Sequence, residues 1–344
     1  MVDVTIRGGG IFGLSIAWVC ARRGARVCVV DPNGAGAGSS GGLVGALAPH
    51  VPENWNAKKA FQFESLVMAE PFWAGVEEMG GVSSGYGRTG RLQPIANDHA
   101  LELAQARAIG AKTLWQGKAH WQVRPVADFG TWAPPSASGF VIHDTLSARM
   151  HPRRACAALM AALAAMGVEV VKTAPDRGIV VHATGAAGLE ELSRRMGKLV
   201  GMGIKGQSAL LQYDAGSVPQ VFADAVHIIP HADGTVGIGS TTEREFDDPT
   251  GTDQMLEDVI ARAVAVMPVL AGAKVIARWA GLRPRSKSRA PVLGAHPLHD
   301  GQFIANGGFK IGFGMAPKVA EVMADLVLDG IDAIPNDFRI ESCL

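Results

Sequence analysis

The stretch that most constrains this chain is its first. Val2, Val4 and Ile6 alternate as a short buried strand would, and they run straight into Gly8-Gly9-Gly10. An apolar helix follows to Arg23, Gly24 closes it, and Arg26-Val27-Cys28-Val29-Val30-Asp31 reads as a second strand. Strand, Gly8-x-Gly10-x-x-Gly13, helix, strand and terminal acid fall in order within 31 residues, the pattern of a βαβ dinucleotide-binding unit. Gly8 permits the tight turn, Gly10 lets backbone approach a pyrophosphate, and Gly13 lets helix and strand pack closely. The helix start, at Ile11 and Phe12, offers free N–H groups and positive potential to phosphates. Asp31, followed by Pro32, lies 21 residues after Gly10, where a carboxylate accepts hydrogen bonds from ribose hydroxyls. An Asp there argues against a 2′-phosphate and leaves NAD and FAD open.

Other features set bounds on partners and compartment. A length of 344 residues allows one large or two ordinary domains, and 48% apolar residues provide ample core. Net charge is zero and no basic block occurs, which argues against a nucleic-acid partner. Cys20, Cys28, Cys156 and Cys343 form no CxxC pair and read as buried thiols in a reducing compartment, and no metal site is expected. The first strand begins at once, so no signal peptide is expected. The longest apolar run, Ala155 to Met166, is about half a membrane span. These readings point to a cytoplasmic protein without a membrane span.

Further along, the loop Gly34 to Leu43 is rich in small residues and lies beside the phosphate site. It reads as a second cofactor loop in which Ser39 and Ser40 can donate to phosphate and Gly41, Gly42 and Leu43 come close. Ala57 to Met79 has helical spacing interrupted at Pro71, and Asp98 to Ile109 is a helix capped by Asn97 or Asp98. Trp115, Trp121 and Trp132 read as core anchors. Pro152 stands in the first turn of a long Ala-rich helix, where its missing N–H costs nothing. Residues 178 to 182 form a strand leading to Gly185, another point of close approach. Residues 204 to 242 alternate as an antiparallel sheet with turns at Asp214 and at Asp233-Gly234. Gly307 to Gly314 is a closing glycine loop that opens a final helix, a second terminus suited to an anion or a ring.

Taken together, Gly8 to Gly13, Ser39 to Pro49, His151-Pro152-Arg153, Ala183-Thr184-Gly185, Gly206-Gln207, Gly239-Ser240-Thr241, Gly281-Leu282-Arg283-Pro284 and Gly307 to Pro317 give a chain that resembles the D-amino-acid oxidase superfamily. The resemblance is greatest to its glycine oxidase and D-amino-acid dehydrogenase branch. It implies non-covalent FAD, since no Cys stands near the flavin loops. It implies an α/β fold with a discontinuous Rossmann-like FAD-binding domain (1–82, 141–203, 276–344) and a substrate domain with a mixed, largely antiparallel sheet (83–140, 204–275). Gly308, Phe309, Lys310, Ile311 and Gly312 would complete the flavin site. The activity implied is oxidation of the Cα–N bond of a small amino or imino acid by hydride transfer to flavin N5.

Such chemistry asks the protein mainly for positioning. Arg283 is the expected carboxylate clamp, because guanidinium matches carboxylate bidentately. Arg278, Arg285 and Arg289 crowd the same region, so a structural salt bridge is the competing role. Lys310 stands where similar proteins often carry a second Arg, and His227 where they often carry a Tyr. His227 either hydrogen-bonds substrate or packs in the sheet. Three departures bear on the substrate. An acid usual after Arg-Pro is replaced by Arg285-Ser286-Lys287-Ser288-Arg289, the usual His of the closing loop is Gly308, and only Pro175 to Gly178 joins two strands usually linked by a longer hairpin. The partner expected is a small-molecule carboxylate, with an oligomer possible. The rival readings are an FAD-dependent 2-hydroxy-acid dehydrogenase and a non-catalytic flavin-binding subunit.

Overall fold

The computed structural model describes residues 2–344. Val4–Arg7 is the centre of a six-stranded sheet, paired in parallel with Val27–Val30 on one side and Ile179–His182 on the other. Beyond them lie Glu169–Val171 at one end and Phe303–Asn306, then Val292–Ala295, at the other; only this last edge strand is antiparallel. Val4, Ile6 and Val29 are fully buried because helices cover the sheet. The helix Ile11–Arg22 is buried nearly all round, with Leu14, Ile16, Ala17, Trp18 and Cys20 inside, and packs against Pro152–Ala165 and Gly312–Ala324. A helix this apolar on every side has to lie between layers. Ala57–Gly80 packs on the last two and runs unbroken through Pro71, contrary to the interruption expected there. Leu66, Ala69, Trp73 and Val76 are buried on both sides of that proline. Burial at about 1.5–3 kcal/mol per large side chain outweighs the roughly 3 kcal/mol cost of an interior proline.

The second sheet has eight strands in the order Lys274–Ser286, Gly201–Gln212, Thr235–Gly239, Val226–Pro230, Gln220–Ala223, Arg91–Pro94, Phe140–Asp144 and Trp121–Pro125. Pairing is antiparallel except between Gln220–Ala223 and Arg91–Pro94. Three of the expected domain boundaries, at 141, 203 and 276, fall inside strands of this sheet. Sheet membership instead divides the chain after Asp144, before Gly201 and after Ser286. The reason is length: Gly201–Gln212 and Lys274–Ser286 pair over twelve positions, so both reach back to the other sheet's side.

Strand alternation gives this sheet two chemically different faces. Leu92, Val221, Ile228, Ile238 and Ala209 fall on one, where Leu256, Val259 and Ala263 of the helix Gln254–Val266 cover them. Arg91, Gln220, His227, Gly239 and Ser208 fall on the other. That face meets the loop after the first βαβ unit: a Cβ at Gly237 would lie 2.3 Å from the Leu43 carbonyl oxygen, and one at Gly239 would lie 3.0 Å from Val44. The polar face of one sheet therefore looks at the glycine loops of the other.

Candidate active site

The dinucleotide turn is built from backbone. Gly8 has φ +111°, and a Cβ there would sit 2.2 Å from the Ala183 carbonyl oxygen. A Cβ at Gly13 would sit 1.8 Å from the Gly8 oxygen, so strand end and helix start leave no room for a side chain. Gly10 precedes the helix without any side-chain cap, and no acid stands in its first turn. Its leading N–H groups have no intrahelical acceptor, and the one from Ile11 donates to Ser40 Oγ at 2.9 Å. Ser40, expected as a phosphate donor, thus braces the helix start through its oxygen and keeps its own O–H for donation. Asp31 accepts from Gly9 N at 2.7 Å and Asn33 N at 2.9 Å, which fixes its carboxylate at the mouth of the turn, with Pro32 behind it.

The second loop is anchored from outside. Ser39–Gly41 is a single 3-10 turn, and Arg153 Nε donates to the Gly41 carbonyl at 2.8 Å. Gly42 lies beside the ring of Trp279. A cavity of about 190 Å³ opens here between Ala35, Gly36, Gly41, Arg153 and Cys156. Contrary to the expectation of no Cys near the flavin loops, the Cys156 thiol does stand against this one, its pKa pushed up to about 12 by burial. From the far end of the chain, Gly312 abuts Ile11, and Asn306 donates to the Gly185 carbonyl at 3.0 Å, tying the closing loop to the helix Gly185–Met196. A Cβ at Gly308 would meet the Phe12 ring at 3.0 Å. The missing histidine therefore has a physical reason: Phe12 fills its space. These residues fit FAD, because uncapped backbone donors, glycines too close for side chains and a fixed carboxylate are what a pyrophosphate and ribose require.

The opposite wall is made of side chains. Arg283 lies flat across Gly206, whose Cβ would fall 2.5 Å from the guanidinium carbon. Its Nη1 donates to Ser240 Oγ at 2.7 Å and its Nη2 to the carbonyls of Thr241 at 2.6 Å and Lys205 at 3.3 Å. Its Nε is buried with no partner, and no acid pairs with it among the described residues. Arg278, by contrast, is the structural salt bridge of this strand, bound to Glu257 at 3.0 Å. Burial pushes the Arg283 pKa down to about 10, opposed by the Glu243 carboxylate.

Behind Arg283 lies a buried network that sequence reasoning missed. Lys205 and Glu243 are 3% and 6% exposed and approach to 3.5 Å. Gln207 donates to Glu243 at 3.1 Å and to Asp253 at 2.8 Å, and the Thr241 hydroxyl also donates to Glu243. Backbone bonds at 3.0 Å join Lys205 and Glu243 in both directions. The network fixes residues 240–243, which present Ser240 Oγ and the Thr241 carbonyl to Arg283. In sequence Glu243 stands in Thr242-Glu243-Arg244-Glu245 and looks like a solvated turn; nothing local signals its burial. Arg91 and Asp144, paired at 3.0 Å with side chains 8% and 0% exposed, were equally invisible.

His227 and Lys310 complete the wall. His227 lies 4.5 Å from the Phe222 ring, and its Nδ1 is buried without a partner. Burial, then the charges of Arg91, Lys310 and Arg283, push its pKa down to about 3, so the ring is neutral. Lys310 is exposed as a residue, but its ammonium donates to Thr242 Oγ1 at 2.9 Å and borders a cavity of about 240 Å³. Desolvation, then Arg283, lowers its pKa. Phe309, held by its N–H to the Pro284 carbonyl at 3.0 Å, stands between these cations.

Comparison with known proteins places the fold and the family. The family model of FAD dependent oxidoreductases matches residues 3–326. A glycine oxidase of Pseudomonas aeruginosa is 35% identical over 167 residues, which span 47% of this chain and 46% of that protein. The match thus covers about half the length of that relative. A glycine oxidase of Bacillus licheniformis is 24% identical over 95% of this chain and 93% of its own. The crystal structure of glycine oxidase from Geobacillus kaustophilus superposes with a TM-score of 0.82 at 22% identity, covering 98% of each chain.

Proposed function

The chain belongs to the family of FAD dependent oxidoreductases, and on that premise we propose that it oxidises the Cα–N bond of a small amino or imino acid held by its carboxylate on Arg283. FAD, when bound, accepts the hydrogen and electron pair released from the substrate carbon. One observation carries the reading: Arg283 is oriented by three oxygen acceptors yet has no acid of its own, on the face that meets the cofactor loops. A guanidinium held this way offers its remaining donors and its full charge to an incoming carboxylate. Neutral His227 does not compete with Arg283 for that anion, and its free Nδ1 faces the polar side of the sheet. Clamping of this kind supplies orientation, the main contribution the protein makes to such chemistry. The glycine oxidases among its relatives support an amino-acid substrate. Four free, buried thiols support a cytoplasmic setting, and among the described residues no helix is long and apolar enough to cross a membrane.

His227 also favours a second reading. A neutral imidazole near the clamp, with its Nδ1 unpartnered, can hydrogen-bond the hydroxyl of a 2-hydroxy acid as readily as an amine. Anaerobic bleaching of the flavin by D-alanine, glycine, sarcosine and proline, set against D- and L-lactate, separates the two. Bleaching by amino or imino acids alone is expected. Bleaching by lactate alone would replace the first reading with the second, and bleaching by none would leave a flavin-binding subunit.

A further inference from the structure

The Phe309 ring is surrounded by three cations: the guanidinium carbons of Arg283 and Arg285 lie 5.5 and 5.9 Å from its centroid, and Lys310 Nζ lies 5.7 Å away. None of the three forms an ion pair among the described residues. The acids nearest in the fold are already engaged: Asp144 by Arg91, Glu243 and Asp253 by Lys205, and Glu257 by Arg278. Asp258, which shares the 240 Å³ cavity with Lys310, forms no ion pair among the described residues and accepts only from the neutral Gln254 amide at 3.2 Å. One aromatic face offsets only a small part of the repulsion among the three cations. A substrate with a single carboxylate would neutralise Arg283 and leave Lys310 and Arg285 beside the ring without a counter-charge.

We infer that the substrate carries two anionic groups, the first clamped by Arg283 and the second received by Lys310 and Arg285 at the rim of Phe309. The class is a short dicarboxylic amino or imino acid. This rests on the clamp reading above and adds a second anion to it. Geometry supports a division of labour. Arg283 is fixed from three sides, whereas Lys310 has one hydroxyl partner at 2.9 Å, and Arg285 is half-buried with no side-chain partner. Lys310 is well suited to a group that varies in position, because an ammonium is a point charge on a flexible stem. The cavity beside Lys310, lined by Ser240, Thr241, Thr242 and Arg262 as well as Asp258, gives the distal group room at the ammonium.

The test compares matched anions on the FAD-loaded protein. Binding of succinate and butyrate, which differ by one charge at equal carbon count, is measured by calorimetry and by perturbation of the flavin spectrum. Iminodiacetate and N-ethylglycine, then D-aspartate and D-2-aminobutyrate, are compared by anaerobic flavin reduction. The dianion should be preferred by tenfold or more in binding, and that preference should weaken as salt rises. Lys310→Met and Arg285→Gln should each shrink the succinate-to-butyrate ratio, while Lys310→Arg should preserve it. Equal binding of succinate and butyrate, both weakened by Arg283→Met, would overturn the second anion and leave the clamp standing. Failure of both ligands to bind, with no bleaching by any amino acid, would overturn clamp and second anion together.

Discussion

The two walls of the site are made of different materials. The cofactor wall is backbone: glycines at 8, 10, 13, 308 and 312, helix termini and one fixed acid, with a side chain excluded at Gly8 and Gly13 by contacts near 2 Å. The substrate wall is side chains on one face of an eight-stranded sheet, oriented by a buried ionic network. Backbone recognises what every member of a family shares, because a pyrophosphate is the same wherever it binds. Side chains recognise what differs. The cofactor wall should therefore be intolerant of bulk and indifferent to charge. The substrate wall should be sensitive to charge while FAD stays bound.

The largest expected effect is on the backbone wall. Gly13→Val should abolish FAD retention, since its Cβ alone would fall 1.8 Å from the Gly8 oxygen. A purified variant that is folded and still yellow with a normal spectrum would break the distinction. Next is Glu243→Ala, which removes the buried partner of Lys205 and leaves it only the exposed Asp253 at 3.5 Å. Removing one partner of a buried pair costs about 3–5 kcal/mol, read as a lower denaturation midpoint. Glu243→Gln, which keeps the hydrogen bonds from Gln207 possible, should cost less and raise KM more than it lowers kcat. A Glu243→Ala protein of unchanged stability would mean that the network holds nothing.

The Phe12–Gly308 contact sharpens the comparison at the cofactor wall. Gly308→His should destabilise by about 1–3 kcal/mol, the usual range for overpacking. Adding Phe12→Ala should recover much of that loss, and strictly additive effects in thermal melts would deny the contact. Smaller still is the effect of pH. His231, 2% exposed, and His227 are held neutral, with pKa values pushed down to about 4 and about 3 by burial. Below pH 6.5 the unfolded chain takes up protons that the folded chain refuses, so stability is full above that pH and declines as pH falls toward 4. Each group contributes up to about 1.4 kcal/mol per pH unit in that window. Melting temperatures that are flat between pH 7 and 5 would contradict this.

How much of this was readable beforehand follows from the same division. The βαβ unit, the closing loop and the helix opened by Pro152 were legible because local sequence dictates them: glycine positions, a first-turn proline and strand alternation act within a few residues. The antiparallel run of 204–242 follows from strand alternation, whereas the layout of two sheets was implied by the family resemblance. The same resemblance singled out Arg283, whose place on the polar face of the sheet no local pattern dictated. The unbroken helix through Pro71 was not legible, because tertiary burial overrode a local breaker. Glu243, Lys205, Arg91 and Asp144 were not, because a charged residue reads as solvated until its partner is known. Those partners lie 38 and 53 positions away in the chain. Gly308 looked like a defect until Phe12, nearly 300 residues earlier, was found against it.

The measurement that tests the division most directly is made on Arg283→Met. FAD affinity is titrated on the apoprotein, and flavin reduction is followed anaerobically against concentration of the best substrate. FAD should bind as in the parent protein. Half-saturation by substrate should rise by roughly 30- to 4000-fold, the equivalent of about 2–5 kcal/mol for a charge pair lost from a shielded site. Unchanged saturation with full reduction would mean that Arg283 holds no carboxylate, and the amino-acid reading of this site would fall.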